Sequence, residues 1–123
     1  MQNPSQTVGI LGEELAGHYL SAHGYKILIK NYECAFGEID LIAKENGHLV
    51  FIEVKTRSSL EMGIPAESVT FHKRGQIVKS ARYYLKRYGI KNIPCRFDVV
   101  SVLMLRNQQP EVEIIKDAFN EGE

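Results

Sequence analysis

Asp40 and the run Glu53-Val54-Lys55 place two carboxylates and an amine where their spacing could bring them together. They belong to Gly37–Arg57, GEIDLIAKENGHLVFIEVKTR, in which two apolar runs flank Asn46-Gly47. Asn-Gly between such runs signals a two-residue type I′ turn, because both central residues must accept φ > 0. The spacing therefore predicts a β-hairpin with Glu45 opposite His48, Ile42 opposite Phe51, Asp40 opposite Glu53 and Glu38 opposite Lys55. Strand side chains alternate with period two, so Glu38, Asp40, Glu53 and Lys55 are expected on one face. Opposed Cβ atoms lie roughly 5 Å apart, close enough for the Asp40 and Glu53 carboxylates to share a ligand.

Charges on the wet face of a hairpin, with Lys55 neutralising its neighbours, would be the plainer interpretation, and such pairs contribute little. The surrounding residues oppose it. Leu49 and Phe51 share a face with Glu53, while Val50, Ile52 and Val54 take the other, so the strand is apolar on both sides and reads as central. The acids then sit at the edge of a buried layer, where unpaired carboxylates are costly. A hard divalent cation, Mg²⁺ or Mn²⁺, resolves the conflict because it takes carboxylate, carbonyl and water oxygens.

Asp40 followed by Glu53-Val54-Lys55 resembles the D…ExK signature of the PD-(D/E)XK nuclease superfamily. The longer strings Gly37-Glu38-Ile39-Asp40-Leu41-Ile42-Ala43 and Phe51-Ile52-Glu53-Val54-Lys55-Thr56-Arg57 are more specific, and are similar to the YraN-like bacterial family of uncharacterised, nuclease-related proteins. The resemblance runs over nearly the whole chain. It implies a restriction-endonuclease-like α/β core and metal-assisted phosphodiester hydrolysis. Asp40, Glu53 and the main-chain carbonyl of Val54 would hold Mg²⁺ or Mn²⁺, and Lys55, a compact cation, would neutralise phosphate or orient water. Glu38 is as well placed to pair with Lys55 as to bind metal.

Composition sets the bounds. With 123 residues, 44% hydrophobic and 24% charged, the chain suits one globular domain over residues 1–123. Fifteen basic residues balance fifteen acidic ones, so any nucleic-acid surface must be local. No apolar run approaches the roughly 18 residues of a membrane span, and the amino-terminal MQNPSQTVGILGEE lacks a basic flank before an apolar stretch. A cytoplasmic protein without membrane contact is expected. Cys34 and Cys95 are expected as reduced thiols, with a single disulfide as the alternative.

The positioning elements follow from periodicity. Thr7 to about His23 predicts a helix with Val8, Leu11, Leu15, Ala16 and Tyr19 on its apolar face and Gly24 closing it. Glu13 borders that face, and spacing alone makes it an acid near the helix amino end. Gly12-Glu13-Glu14-Leu15-Ala16 is similar to the family's G-E-x-x-A helix, and the resemblance makes Glu13 a third acid of the site. Tyr25–Tyr32 alternates as a first strand, Ser58–Ala66 reads as a loop beside the site, and a second helix is expected from Ser68–Phe71 to about Tyr88, capped by Gly89. Its apolar face is Ile77, Val78, Ala81, Tyr84, Leu85 and Tyr88, with Lys79, Arg82 and Lys86 opposite and Lys73 and Gln76 at the border.

Between Phe71 and Phe97 stand eight Lys or Arg and no acid. A charged helix face is often merely solvated, but beside an acidic metal site it also suits a phosphate backbone. Val69–Gln76 resembles the family's V-T-x-x-K stretch. Lys73, Gln76, Arg57 and Arg74 are the candidate nucleic-acid contacts, with DNA ahead of RNA as partner. Cys95–Leu105 and Glu111–Lys116 complete the strands, with Phe119 as an apolar plug. Asp98 is expected to pair with a nearby Arg or Lys. The order αβββαββ predicts a mixed sheet of four or five strands with helices on both faces. A metal-dependent nuclease is the leading expectation, acting on DNA that includes branched forms. A nucleic-acid-binding module of the same fold without turnover is the alternative, and a scaffold for a partner protein a third. Resemblance to junction-cleaving relatives allows a homodimer.

Overall fold

The computed structural model describes residues 4–58 and 69–121, with side chains described from Thr7 onward. Helix α1 (Pro4–Ala22) precedes strands β1 (Lys26–Cys34), β2 (Gly37–Glu45) and β3 (His48–Arg57); helix α2 (Phe71–Arg87) then leads to β4 (Cys95–Leu103) and β5 (Glu111–Phe119). The five strands form one sheet in the order β1-β2-β3-β4-β5, in which only the β3–β4 pair is parallel. A parallel pair needs a crossover, and α2 lies within that connection. The expected order αβββαββ and the α/β class are both observed. The expected loop Ser58–Ala66, after Ser58, and the helix onset at Ser68 lie outside the described residues.

β3 and β4 carry the core. Val50, Ile52 and Val54 pack with Val100 and Val102 of β4 and with Ala16 and Leu20 of α1, whereas Leu49 and Phe51 pack on the other face with Ile77, Val78 and Tyr84 of α2. The helices thus cover opposite faces, as a strand apolar on both sides requires. Phe119 does plug this core, buried and stacked on Phe97 with ring centroids 5.1 Å apart, although β5 runs on to include it rather than stopping at Lys116.

The hairpin turn is as predicted, with Asn46 at φ 49° and Gly47 at φ 78°. Glu45 pairs with His48 and Ile42 with Phe51, and the ladder continues to Leu41 opposite Ile52. There it ends. The expected Asp40–Glu53 and Glu38–Lys55 pairs are absent from the ladder: Ile39 and Glu38 stay paired to β1, while Glu53 to Arg57 stay paired to β4. Alternation also slips by one residue. Ile39 packs with Ile42 under α2, yet Asp40 and Leu41 both line the pocket under α1. The hairpin is therefore forked beyond Leu41, and its four charged side chains do not share one face.

α1 corrects a second expectation. Its buried positions are Gly12, Ala16, Gly17 and Leu20, while Leu11 is 43% exposed. Gly12 sets the approach, because a Cβ there would overlap the Thr56 side chain of β3. Small residues, rather than Val8 and Leu11, decide which side of α1 meets the sheet. Gly12→Ala should lower stability by about 1–3 kcal/mol through overpacking, and Thr56→Ala in the same chain should recover part of the loss. Urea denaturation of the two single variants and the double variant measures this; a Gly12→Ala protein as stable as the parent would show that α1 does not depend on the close approach.

Candidate metal and nucleic-acid site

At the fork, Asp40 Oδ2 accepts the Val54 N–H at 2.8 Å. In a continued ladder Val54 would face Ile39, so the carboxylate takes over the bond that the parting strands relinquish. This draws Asp40 to the mouth of the fork beside Glu53. Val54 meets Asp40 through its N–H, and the metal-binding role expected of its carbonyl belongs to the proposed function.

Glu53 is only 5% exposed. Its Oε1 lies 3.8 Å from both Lys55 Nζ and Lys73 Nζ, while its Oε2 is buried with no hydrogen-bond donor among the described residues. Lys73 reaches the site from the first turn of α2, which Thr70 caps by accepting the Lys73 N–H at 3.2 Å. Burial pushes the Glu53 carboxyl up to about 7, with the Asp40 charge adding to the rise and Lys73 and Lys55 opposing it. Burial also raises Asp40, against the Val54 N–H and the two lysines.

On the α1 side, Glu13, Glu38 and Asp40 bring one carboxylate oxygen each within 4.8 Å of one another. Burial, and then the charges of their neighbours, raise Glu13 and Glu38 above the ordinary carboxylate range. Asn31, at φ 53°, faces this group; with its amide nitrogen turned toward the acids it donates to Glu13 Oε1 at 2.9 Å and Glu38 Oε1 at 3.0 Å. Asp40 thus belongs to two groups of acids at once. An all-oxygen donor set, crowded like charges and a buried carboxylate oxygen without a donor together fit a hard divalent cation.

Glu38, placed between two roles by its sequence position, sits with the acids and not with Lys55. Asn31 was invisible to periodicity. The one signal in the chain was an Asn within a strand pattern, since Asn disfavours strands and tolerates the left-handed region. Gln76 flanks the fork from α2, near Gly37, and Arg57 ends β3. Arg74 turns toward the core instead, donating to the Val69 carbonyl at 2.9 Å and stacking over Phe119. Asp98 is fully buried and accepts from Arg96 Nε and Nη2, Tyr25 Oη and the Asp117 N–H, the pairing role expected of it. Cys34 and Cys95 are both free thiols. No helix among the described residues is long and apolar enough to cross a membrane.

Fold and site together define an α/β protein with a forked central hairpin that gathers acids from α1 and β2 against lysines from β3 and α2. A family model described as Uncharacterised protein family UPF0102 matches residues 12–102, from the Gly12 approach to β4, and includes every residue of the fork. A UPF0102 protein of Lachnoclostridium phytofermentans is 46% identical over 113 residues, covering 91% of this chain and 92% of its own. A second, from Caldanaerobacter subterraneus subsp. tengcongensis, is 50% identical over 99 residues, covering 80% and 81%. A third, from Clostridium perfringens, is 42% identical over 120 residues, covering 97% and 98%. The chain belongs to the UPF0102 family, in agreement with its YraN-like resemblance.

The raised carboxyls predict how stability responds to pH. Because Glu53 titrates higher in the folded protein than its ordinary value of 4.5, the folded form retains protons that the unfolded chain releases, and stability should rise as pH falls through about 7. Thermal unfolding in EDTA at about pH 8 and about pH 6 tests this: the parent should melt higher at the lower pH, and Glu53→Gln should flatten the difference. A parent melting temperature that falls or stays level over that interval would refute the crowding.

Proposed function

We propose that this protein is a metal-dependent nuclease of PD-(D/E)XK type that hydrolyses phosphodiester bonds in nucleic acid, DNA before RNA, with branched DNA among its substrates. The observation that supports this most is the pairing of half-buried Asp40 with buried Glu53 at the fork, flanked by two lysines and by the acids Glu13 and Glu38. Asp40 would hold Mg²⁺ or Mn²⁺ with Glu53 on one side and Glu13 and Glu38 on the other. When bound, such an ion supplies polarisation of the scissile phosphate, a lowered pKa for water and compensation of developing negative charge.

The chain's own residues do the rest. Lys55 and Lys73 keep positive charge at the mouth of the fork, where a phosphate would exchange its hydration for their ammonium groups. β3 holds Glu53 and Lys55 on a strand paired to β4 from Leu49 through Arg57, so their separation is rigid. Asp40 is fixed by the Val54 N–H, and Asn31 restrains Glu13 and Glu38. Water replaces one ester oxygen on phosphorus, and the departing oxygen leaves with a proton as a hydroxyl. The basic surface of α2 also supports the reading of a binding module without turnover, which predicts salt-sensitive binding in EDTA and no cleavage.

Purified protein should cut DNA with Mn²⁺ or Mg²⁺ and not in EDTA, and Asp40→Asn or Glu53→Gln should each reduce the rate by about a hundredfold or more. A panel of linear and branched substrates reads both rate and preference. Cleavage that survives both substitutions would place the chemistry elsewhere, and binding without cleavage by the parent protein would favour the module.

A further inference from the structure

A second surface on α2 is unexplained by the fork. Phe36, in the two-residue β1–β2 turn, and Tyr83, on the outer side of α2, are 46% and 41% exposed, although both are large aromatic residues. Their rings meet edge to face, with centroids 6.1 Å apart and planes inclined by 61°. They line a shallow cavity of about 310 Å³ with Lys79, Arg82 and Lys86. Positions 79, 82, 83 and 86 form one helical stripe, so the cations and a ring face solvent together. Among the described residues the cavity is lined by no acid, and the two rings are its uncharged side chains. Arg82 has an ion pair with Glu121 at 3.3 Å, but both groups are more than half exposed, and such a pair exchanges readily for another anion.

We infer that Phe36 and Tyr83, with Lys79, Arg82 and Lys86, form a stacking platform for unpaired nucleotides of a nucleic acid strand. The inference rests on the proposal that the protein engages nucleic acid. Ring faces accept bases, while the lysines and arginine accept the phosphates between them, the combination that holds single strands without sequence preference. Planar rings lined, among the described residues, by cations and by no Leu, Ile or Val suit a base better than an acyl chain or an apolar peptide side chain. The location also fits. Phe36 lies four residues before Asp40 along the chain, about 13 Å of extended strand. Tyr83 lies ten residues beyond Lys73, about 15 Å of helix. An unpaired segment on the platform would therefore place the neighbouring backbone within reach of the fork, which favours substrates with a single-stranded or branched part over a continuous duplex.

The test is binding of a fluorescein-labelled single-stranded oligonucleotide and of the matching blunt duplex to the full chain, by anisotropy in EDTA so that turnover cannot intervene. Phe36→Leu/Tyr83→Leu keeps apolar volume but removes the ring faces, and should weaken single-strand binding about fivefold or more while changing duplex binding less than about twofold. Tyr83→Phe should bind like the parent. Lys79→Ala/Lys86→Ala should lower the salt dependence of single-strand binding by about 0.7 for each phosphate that the variant no longer neutralises. Both rings are on the surface and the buried side of α2 is untouched, and circular dichroism checks that each variant is folded.

Equal weakening on single strand and duplex, or no weakening in the Leu variant, overturns the platform. So does binding of anionic vesicles or an acidic peptide through these residues with no oligonucleotide bound. Cleavage with Mn²⁺ is a separate readout: ring-dependent binding without cleavage overturns the nuclease reading alone, and cleavage by a Leu variant that binds single strands like the parent overturns the platform alone.

Discussion

The site depends on one hydrogen bond, from the Val54 N–H to Asp40. An antiparallel ladder that ends inside a protein leaves donors and acceptors facing each other across a gap, and a buried donor without a partner is costly. Here a carboxylate fills the gap. It satisfies the backbone and at the same time draws a negative charge into the layer between the helices. Glu53 cannot retreat from that charge, because β3 is paired to β4 on its other edge through Arg57. The fork is thus both a structural repair and the source of the electrostatic crowding.

The two helices answer that crowding from opposite faces. α1 comes close through Gly12 and adds another acid, Glu13; α2 adds Lys73 across the sheet. On the proposed reading, a divalent ion would balance the acids that Lys55 and Lys73 leave uncompensated, since one such ion compensates more charge at shorter range than a lysine on a flexible stem.

Much of this was legible in the chain. Asn46-Gly47 fixed the turn and the register as far as Leu41, and an apolar run on both faces of β3 identified it as central. The basic stripe of α2 and the pairing of Asp98 were visible because a strand acid among apolar residues needs a nearby cation, and Arg96 stands two positions before it. The fork was not legible. Period-two reasoning carries a register onward indefinitely and has no mark for the place where a side chain replaces a ladder bond. The approach of α1 was hidden for a different reason: glycine carries no hydropathy, so Gly12 and Gly17 were outweighed by Leu11, which remains at the surface. Asn31 acts through a left-handed backbone that alternation cannot encode.

Two buried acids within the sheet have contrasting surroundings. Ile52 pairs with Asp98, so Asp98 and Glu53 are one step apart on adjacent parallel strands. They meet the same desolvation in opposite ways. Asp98 accepts four hydrogen bonds, two from the Arg96 guanidinium, one from Tyr25 and one from the Asp117 backbone. Glu53 has two lysines at 3.8 Å on one oxygen and no donor among the described residues on the other. The surrounding chain was therefore able to saturate a buried carboxylate on this sheet, and at Asp98 it did so within the same layer of strands. Glu53 is left short of donors at the open fork, where its carboxyl neighbour Asp40 shares a hydrogen bond with it only while one of the two holds a proton.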